Sequence, residues 1–231
     1  LHPLNRIKTD VGTEYMVFTP FYKKCIKSYV EEPIYENLLV ENVQLKTFDN
    51  NLKNTSIKQF YVNNKKIFHK GGRSYALTIL KNIQHNNSQN NYDTNRNTPK
   101  SNTTMLSPYI KFGCVSVREV YHCILKTYNI HHAIIKELYW REFYAYLVYF
   151  HPRVLQGGNF KTNMNKISWS SSTEHFERWC CGKTGYPIVD AGMNQLNTIG
   201  WMHNRVRMIT ASFLVKHLHI DWRKGEQYFA T

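Results

Sequence analysis

The amino-acid sequence predicts a mainly α-helical protein, and three features of its pattern support that fold class. Two long segments, residues 133–150 and 201–217, are rich in apolar side chains at helical spacing. Residues typical of helix starts and ends flank several segments after Met105. The alternation of apolar and polar side chains that is typical of strands never reaches a useful length there. We therefore expect a main domain built from helices.

The N-terminal segment, residues 1–24, has a different texture. It combines a turn at Val11 and Gly12 with an extended-looking stretch over residues 15–18, which Pro20 should end. A lone strand is not stable in water. This segment is therefore expected to be the end of an N-terminal α/β domain whose sheet the chain does not contain.

A connector and then the main domain follow this segment. Residues 25–66 are polar and weakly patterned, which is typical of a connector with short helical pieces. We assign residues 67–231 to the helical domain. Within it, the Asn-rich residues 85–97 should form an exposed loop.

Two helices of the main domain have clear boundaries in the sequence. Ser116 starts a Ser-Val-Arg-Glu capping box, which predicts a helix that continues to about Tyr128. Residues 133–150 are apolar on nearly every face, so they should form a buried helix that ends before His151 and Pro152.

Two further helices are predicted near the C-terminus. Pro187 lies where a helix should start, and Gly200 lies where its C-terminal cap belongs. Residues 201–217 should form the next helix. Its core stripe should consist of four residues at helical spacing: Met202, Val206, Ile209 and Phe213.

The chain is strongly basic. It has 30 lysines and arginines against 16 acidic residues, a formal net charge of +14. Such a balance favours a polyanionic partner, with nucleic acid as the leading candidate. The alternative is a solubility effect combined with a composition rich in Asn, Lys, Ile and Tyr, which an AT-rich genome would produce without selection for binding.

The sequence lacks the features of several other protein classes. The longest apolar stretch, residues 144–150, is too short to cross a membrane, and residues 1–10 lack the apolar core of a secretory signal. Five cysteines, an odd number, are most simply free thiols in a reducing compartment. The cysteines and histidines show no metal-ligand spacing. We expect an intracellular protein without a metal, whose compartment the sequence does not identify.

Two predicted helices carry polar and aromatic residues on what should be a shared inner face. Buried polar groups need partners, which a cavity holding a polar ligand would supply. An ordinary Glu–Arg pair inside a helical bundle would supply them equally well, and this alternative stays open. The residues are Glu137, Trp140, Arg141 and Tyr144 on one helix, and Asn204, Arg207, Met208 and Ala211 on the other.

A hydroxyl-rich segment, residues 101–107, precedes a helical stretch and would suit a diphosphate. An ordinary helix cap is the alternative. Gly182, Lys183 and Thr184 do not form a phosphate-binding loop, because that motif needs a glycine where the chain has Glu177.

Four segments resemble the DNA photolyase/cryptochrome family. Residues 182–229 read GKTGYPIVDAGMNQLNTIGWMHNRVRMITASFLVKHLHIDWRKGEQYF, a long contiguous match. Residues 137–144 (ELYWREFY) and 106–121 (LSPYIKFGCVSVREVY) match the same family. Residues 15–24 (YMVFTPFYKK) look like the end of its antenna domain.

The resemblance implies a helical FAD-binding domain of photolyase type, similar to class I enzymes, preceded by a remnant of the α/β antenna domain. It implies light-driven repair of cyclobutane pyrimidine dimers in DNA by electron transfer from reduced FAD, a carbon–carbon lyase reaction. A cryptochrome-like blue-light receptor and a non-catalytic DNA-binding remnant are the alternatives. An antenna chromophore is not expected in this chain, and damaged DNA is the expected partner.

The resemblance also implies roles for individual residues. The expected flavin-phosphate contacts are Tyr92, Thr103, Thr104, Leu106 and Ser107, and Arg207 is expected beside the isoalloxazine ring. The residues that should line the cavity for a flipped dimer are Glu137, Trp140, Asn204 and Met208. Trp169 and Trp222 resemble members of an electron-transfer tryptophan chain, and Arg96 and Arg205 resemble contacts to the DNA backbone.

The family pattern also continues beyond Thr231, with two aspartates and an asparagine around the flavin and a further tryptophan. The sequence analysis therefore expects a truncated or split photolyase-like protein. A second chain that supplies the missing segment is one alternative.

Overall fold

The computed structural model describes residues 1–34, 66–101 and 103–230, and these residues form ten α-helices. Two short 3₁₀ turns, Pro152–Val154 and Thr162–Lys166, lie between the sixth and seventh helices. The helices are α1 (Phe18–Cys25), α2 (Arg73–Asn86), α3 (Tyr92–Asn95), α4 (Ser107–Lys111), α5 (Val117–Thr127), α6 (Ala133–Phe150), α7 (Thr173–Cys180), α8 (Pro187–Ile199), α9 (Asn204–Lys216) and α10 (Trp222–Ala230). The described residues contain no strand, so the mainly helical fold class is confirmed.

Helix α6 lies at the centre of the first of two hydrophobic cores. One side of it buries Ile135, Leu138, Tyr139 and Tyr146 against α1 and α5, while α2 packs on the far side of α5. The Tyr146 hydroxyl donates to the Ile7 carbonyl at 2.9 Å and accepts the Tyr15 amide at 2.9 Å. These bonds hold the N-terminal segment on the helix and satisfy a buried polar group.

The second core forms where α7, α8, α9 and α10 meet around Trp179. The Trp179 ring is fully buried, and its Nε1 donates a hydrogen bond to the Thr210 carbonyl of α9 at 3.0 Å. Gly192 of α8 lets α9 approach closely, since a Cβ there would lie 2.5 Å from Val206 Cγ1.

The contacts that join the two cores include the following. The Phe68 amide donates to the Ile199 carbonyl at 3.3 Å, and the rings of Phe68 and His69 contact Trp201. Farther along, Arg205 of α9 reaches Asn97, which follows α3.

Several boundary predictions are confirmed. The Ser116–Glu119 capping box is present, and its helix ends at Thr127. Helix α6 has the predicted bounds, and Gly200 ends α8 in the left-handed region with φ of 70°.

Other expectations for the N-terminal half are corrected. Phe18 is not extended but begins α1, and Pro20 lies within the first turn of that helix, where its missing amide costs nothing. The predicted loop over residues 85–97 contains the end of α2 and all of α3. Most of the predicted connector, residues 35–65, lies outside the described residues.

Three expectations about α6 and α9 are also wrong. The first helix is buried on one side only, and its Tyr144 side chain is 61% exposed, because aromatic rings give both sides an apolar pattern. The second helix starts at Asn204 rather than at residue 201, since His203 caps it by accepting the Arg205 amide. Ile209 of the predicted core stripe is exposed.

A search for membrane-spanning segments among the described helices finds none with the necessary length and apolar character.

The close approach of α8 and α9 makes a testable prediction. We expect Gly192→Ala to lower the free energy of unfolding by about 1–2 kcal/mol, because overpacking a stiff β-branched neighbour outweighs the gain in helix propensity. Gly71→Ala is the control, since a Cβ there meets no atom within 4 Å. Urea unfolding monitored by circular dichroism measures both changes. A stabilised Gly192→Ala protein would contradict the packing described here.

Candidate functional site

The outward side of α6 carries two of the predicted dimer-cavity residues, Glu137 and Trp140. They are three residues apart and so lie on the same side of the helix. Both side chains are partly exposed, because the fully buried residues of α6 lie on its other side. Glu137 and Trp140 therefore place a carboxylate and an indole beside each other at the surface.

Arg96, at the C-terminal end of α3, pairs with Glu137. Its Nη1 donates a hydrogen bond to Glu137 Oε1, and its Nε lies 3.2 Å from Asp93 Oδ1. Only 27% of the Arg96 side chain is exposed. The guanidinium therefore lies between two carboxylates that come from different helices.

Residue 97 connects this cluster to α9. Arg205 Nη2 donates to Asn97 Oδ1 at 2.7 Å, and Arg205 Nη1 lies 3.5 Å from the sulfur of Met208. The Asn204 amide lies 3.9 Å from the same sulfur. Six predicted site residues thus share one connected surface: Arg96, Glu137, Trp140, Asn204, Arg205 and Met208.

Trp140 is supported from behind by a residue of α1. The Phe18 ring stacks on it with centroids 3.5 Å apart and an angle of 8° between the planes. Tyr144 lies next to the indole along α6, with ring centroids 5.8 Å apart. The indole plane is therefore held by aromatic contacts, while part of the ring stays open to solvent.

Tyr92 lies one turn before Arg96 in α3. Burial raises the pKa of Tyr92 to about 12, the Glu137 charge adds to the rise, and Arg96 and Arg205 oppose it. Tyr92 is therefore a neutral hydrogen-bonding group at physiological pH, and it adjoins the charged cluster.

A separate cleft of about 580 Å³ contains part of the predicted phosphate contacts. Thr103, Thr104 and Lys70 line it. The Leu106 side chain is buried in the first core, so only its backbone could meet a ligand, whereas Ser107 is exposed at the start of α4. Hydroxyl groups and an ammonium group are suited to an anionic ligand.

Arg207 lies on a different side of α9 from Met208. Its guanidinium stacks over the Phe229 ring at 4.8 Å, and burial lowers the pKa of Arg207. No carboxylate of the described chain pairs with it. A half-buried cation without an ionic partner is suited to an anionic or electron-rich ligand.

Comparison with known proteins now identifies the family. The family model described as the FAD binding domain of DNA photolyase matches residues 134–231. A deoxyribodipyrimidine photo-lyase of Buchnera aphidicola from Acyrthosiphon pisum is 38% identical over 98% of this chain and 48% of its own length. One from Alkalihalophilus pseudofirmus is 38% identical over 96% of this chain and 47% of its own length.

Solved structures of a photolyase and a cryptochrome are also similar to this chain. A bacterial class III photolyase from Agrobacterium tumefaciens superposes with a TM-score of 0.81 at 33% identity, over 99% of this chain and 49% of its own. The Synechocystis sp. PCC6803 cryptochrome gives a TM-score of 0.68 at 30% identity, over 75% of this chain and 38% of its own. This chain belongs to the DNA photolyase/cryptochrome family. It spans about half the length of the curated relatives that it matches.

The two tryptophans that resemble photolyase electron-transfer residues have separate surroundings. Trp222 Nε1 donates to Asn159 Oδ1 at 2.9 Å, and the Arg223 guanidinium lies 4.9 Å from the indole centroid. Trp169 is half-buried beside Ser170, whose amide donates to the His219 carbonyl at 2.7 Å. The structure shows no direct ring contact between Trp169 and Trp222.

The prediction of one shared inner face on two helices needs correction. Arg141 and Tyr144 point to solvent, and Arg207 points toward α10 rather than toward α6. The remaining polar residues meet through residues 96 and 97 because α3 lies between the two helices.

The structure adds supporting residues that the sequence analysis missed. Asp93 could have been found, because it lies three residues before Arg96 and such pairs interact on a helix. Phe18, Asn97 and Phe229 carry no comparable signal, since their contacts come from distant parts of the chain.

Residues 182–184, which are not expected to form a phosphate-binding loop, are held by hydrogen bonds to Asp190. Asp190 Oδ1 accepts the Thr184 amide at 2.8 Å and the Thr184 hydroxyl at 2.6 Å. The loop is therefore tied to the first turn of α8. No group of three or more His, Cys, Asp or Glu side chains in the described ranges could hold a metal ion.

The contact between Phe18 and Trp140 predicts an unequal effect of two phenylalanine replacements. We expect Phe18→Ala to lower the free energy of unfolding by about 3–5 kcal/mol, because it removes a buried ring. It should also weaken the near-ultraviolet circular dichroism that the rigid indole produces. Phe112→Ala is the matched control, since that ring is 80% exposed and its loss should cost at most about 0.5 kcal/mol. Equal losses would contradict the packing of α1 on α6.

Proposed function

We propose that the whole protein repairs cyclobutane pyrimidine dimers in DNA by light-driven electron transfer from reduced FAD. The observation that carries the proposal is the surface at which Glu137 and Trp140 of α6 meet Asn204 and Met208 of α9 through the Arg96–Asn97 bridge. Relatives with 38% identity over nearly the whole chain are named deoxyribodipyrimidine photo-lyases.

The surface has the groups that a flipped dimer needs. Photolyases are among the enzymes that take the target nucleotide out of the duplex stack, which exposes the faces and edges of its bases. The indole of Trp140 would provide an apolar face, held in place by Phe18. Glu137 and Asn204 would provide hydrogen-bonding partners for the base edges, so that these edges are not left unsatisfied in the cavity.

DNA itself is the partner that the charge of the chain favours. The net charge of +14 suits the phosphate backbone, whose neutralisation dominates affinity and makes it sensitive to salt. The Arg205 guanidinium, next to Asn204 and Met208, is well placed to meet a phosphate that flanks the flipped nucleotide.

The residues present fit FAD. Arg207 is a half-buried cation that has no ionic partner among the described residues, and Thr103 and Thr104 line a cleft with Lys70. We propose that Arg207 adjoins the isoalloxazine ring and that Tyr92, Thr103, Thr104, the Leu106 backbone and Ser107 bind the diphosphate part. Bound reduced FAD would supply the electron that splits the dimer, while the chain binds and orients both partners.

A cryptochrome-like light receptor is the second candidate. The likeness to the Synechocystis cryptochrome favours it, since the TM-score is 0.68. Preference for dimer-containing DNA and its repair under light would separate the two functions, because a receptor needs neither.

The first prediction of the repair proposal concerns Trp140. We expect Trp140→Ala to lower affinity for a duplex with a single thymine dimer by about 5- to 150-fold, because base–aromatic stacking contributes about 1–3 kcal/mol per base. Affinity for the same duplex without the dimer should change less than twofold. Tyr29→Ala, which removes a ring that is 76% exposed, is the control.

The activity assay uses blue light, chemically reduced FAD and the same duplex. Repair should occur with the whole wild-type protein and decline with Trp140→Ala in parallel with binding. A chain that holds reduced FAD, binds the dimer and leaves it intact under light would contradict the repair proposal and favour the receptor.

The second prediction concerns Arg207. We expect Arg207→Met to weaken FAD binding by about 10- to 100-fold, because it removes a half-buried cation that contributes about 1.5–3 kcal/mol to a charged contact. Arg178→Met is the matched control, since Arg178 is exposed and pairs with Glu174. Quenching of flavin fluorescence measures both affinities. Unchanged affinity for Arg207→Met would show that this guanidinium does not contact the flavin.

A further inference from the structure

The two arginines with an expected role in DNA binding have opposite electrostatic surroundings. Arg96 lies between the carboxylates of Glu137 and Asp93, so its single positive charge faces two negative ones. A phosphate approaching Arg96 would have to displace a carboxylate and then remain beside both negative charges. That arrangement is unfavourable for binding an anion.

Arg205, in contrast, has a neutral hydrogen-bonding partner. Its partner is the neutral side-chain oxygen of Asn97, at 2.7 Å, and its other amino group lies beside the Met208 sulfur. No carboxylate in the described part of the chain forms an ion pair with it. Its charge is uncompensated and can serve a phosphate.

Glu137 is held by one of its two carboxylate oxygens. Arg96 donates to Oε1, whereas no described residue donates to Oε2. About a third of the side chain, 33%, is exposed. The bond from Arg96 restrains the carboxylate and leaves Oε2 without a donor among the described residues.

We propose that Arg96 is a positioning residue for Glu137 and not a phosphate contact, and that of these two arginines only Arg205 binds the DNA backbone. The inference rests on the proposed function, since it assigns Glu137 Oε2 to a donor on the edge of the flipped base. It changes the role of Arg96 expected from the family resemblance. Arginine suits this role because its planar guanidinium can donate to Glu137 while it also lies beside the Asp93 carboxylate.

The proposal also explains why a carboxylate beside a DNA-binding surface need not repel DNA. Arg96 neutralises Glu137 locally, and Asp93 on the far side of the guanidinium is exposed to solvent, where its charge is screened. Arg96 holds Glu137 in place before the base binds. Ordering this long side chain therefore costs less conformational entropy during binding.

The test compares binding of two duplexes, identical except for one thymine dimer, over a range of potassium chloride concentrations. We expect Arg205→Met to weaken both complexes about equally and to reduce the slope of log affinity against log salt by about 0.9, the value for one lost phosphate contact. Arg96→Met should leave the undamaged complex within about twofold and its salt slope unchanged. It should weaken the damaged complex by about 5- to 30-fold.

Two further variants test whether Arg96 acts through Glu137. In a Glu137→Gln background, Arg96→Met should change damage preference less than about twofold, because the residue through which Arg96 acts is already altered. Arg96→Lys should behave like Arg96→Met, since an ammonium group preserves a phosphate contact but not the fork between two carboxylates. Arg96→Lys also keeps the test open if Arg96→Met does not fold, which a thermal melt would show.

The outcomes separate this inference from the function on which it rests. A wild-type chain with no preference for the dimer would overturn both. Arg96→Met could keep the wild-type preference for the dimer but have a reduced salt slope, and Arg96→Lys could restore the wild-type slope. This result would overturn this inference alone and make Arg96 a phosphate contact.

Discussion

The packing of one side of α6 determines where Glu137 and Trp140, the first half of the candidate site, lie. Its apolar side is buried against α1 and α5 by residues such as Leu138, Tyr139 and Tyr146. Because a helix repeats every 3.6 residues, that burial directs Glu137 and Trp140 to the opposite side. The same contacts bring Phe18 against the indole, so the core that stabilises the domain also orients the Trp140 ring.

The second half of the site depends on α3, a helix of one turn. Its end supplies Arg96 to α6, and the next residue, Asn97, reaches Arg205 of α9. Charges are distributed unequally across this bridge: two carboxylates lie beside Arg96, whereas no carboxylate in the part of the chain that the structure describes pairs with Arg205. A surface built in this way can present an oriented hydrogen-bond acceptor and a free cation within a short distance. Recognition of a damaged base and its flanking phosphate needs both.

Local features were predictable from the sequence, and long-range ones were not. The Ser116 capping box and the Gly200 cap depend on residues within one turn, so their spacing predicts them correctly. The exposure of Tyr144 could not be predicted, because an aromatic residue suits a core and an open surface equally well. The support of Trp140 by Phe18 joins residues 122 positions apart. The roles of individual residues came from family resemblance, and the geometry places six of the predicted site residues on one surface.

The central claim is that α6 and the start of α9 together recognise a dimer. Hydrogen–deuterium exchange of the chain with a dimer-containing duplex and with its undamaged counterpart tests that claim most directly. Protection common to both duplexes would report phosphate binding. The structure predicts additional protection with the damaged duplex alone, in peptides covering residues 137–144 and 204–208. Identical protection by both duplexes, or extra protection confined to other helices, would contradict the claim.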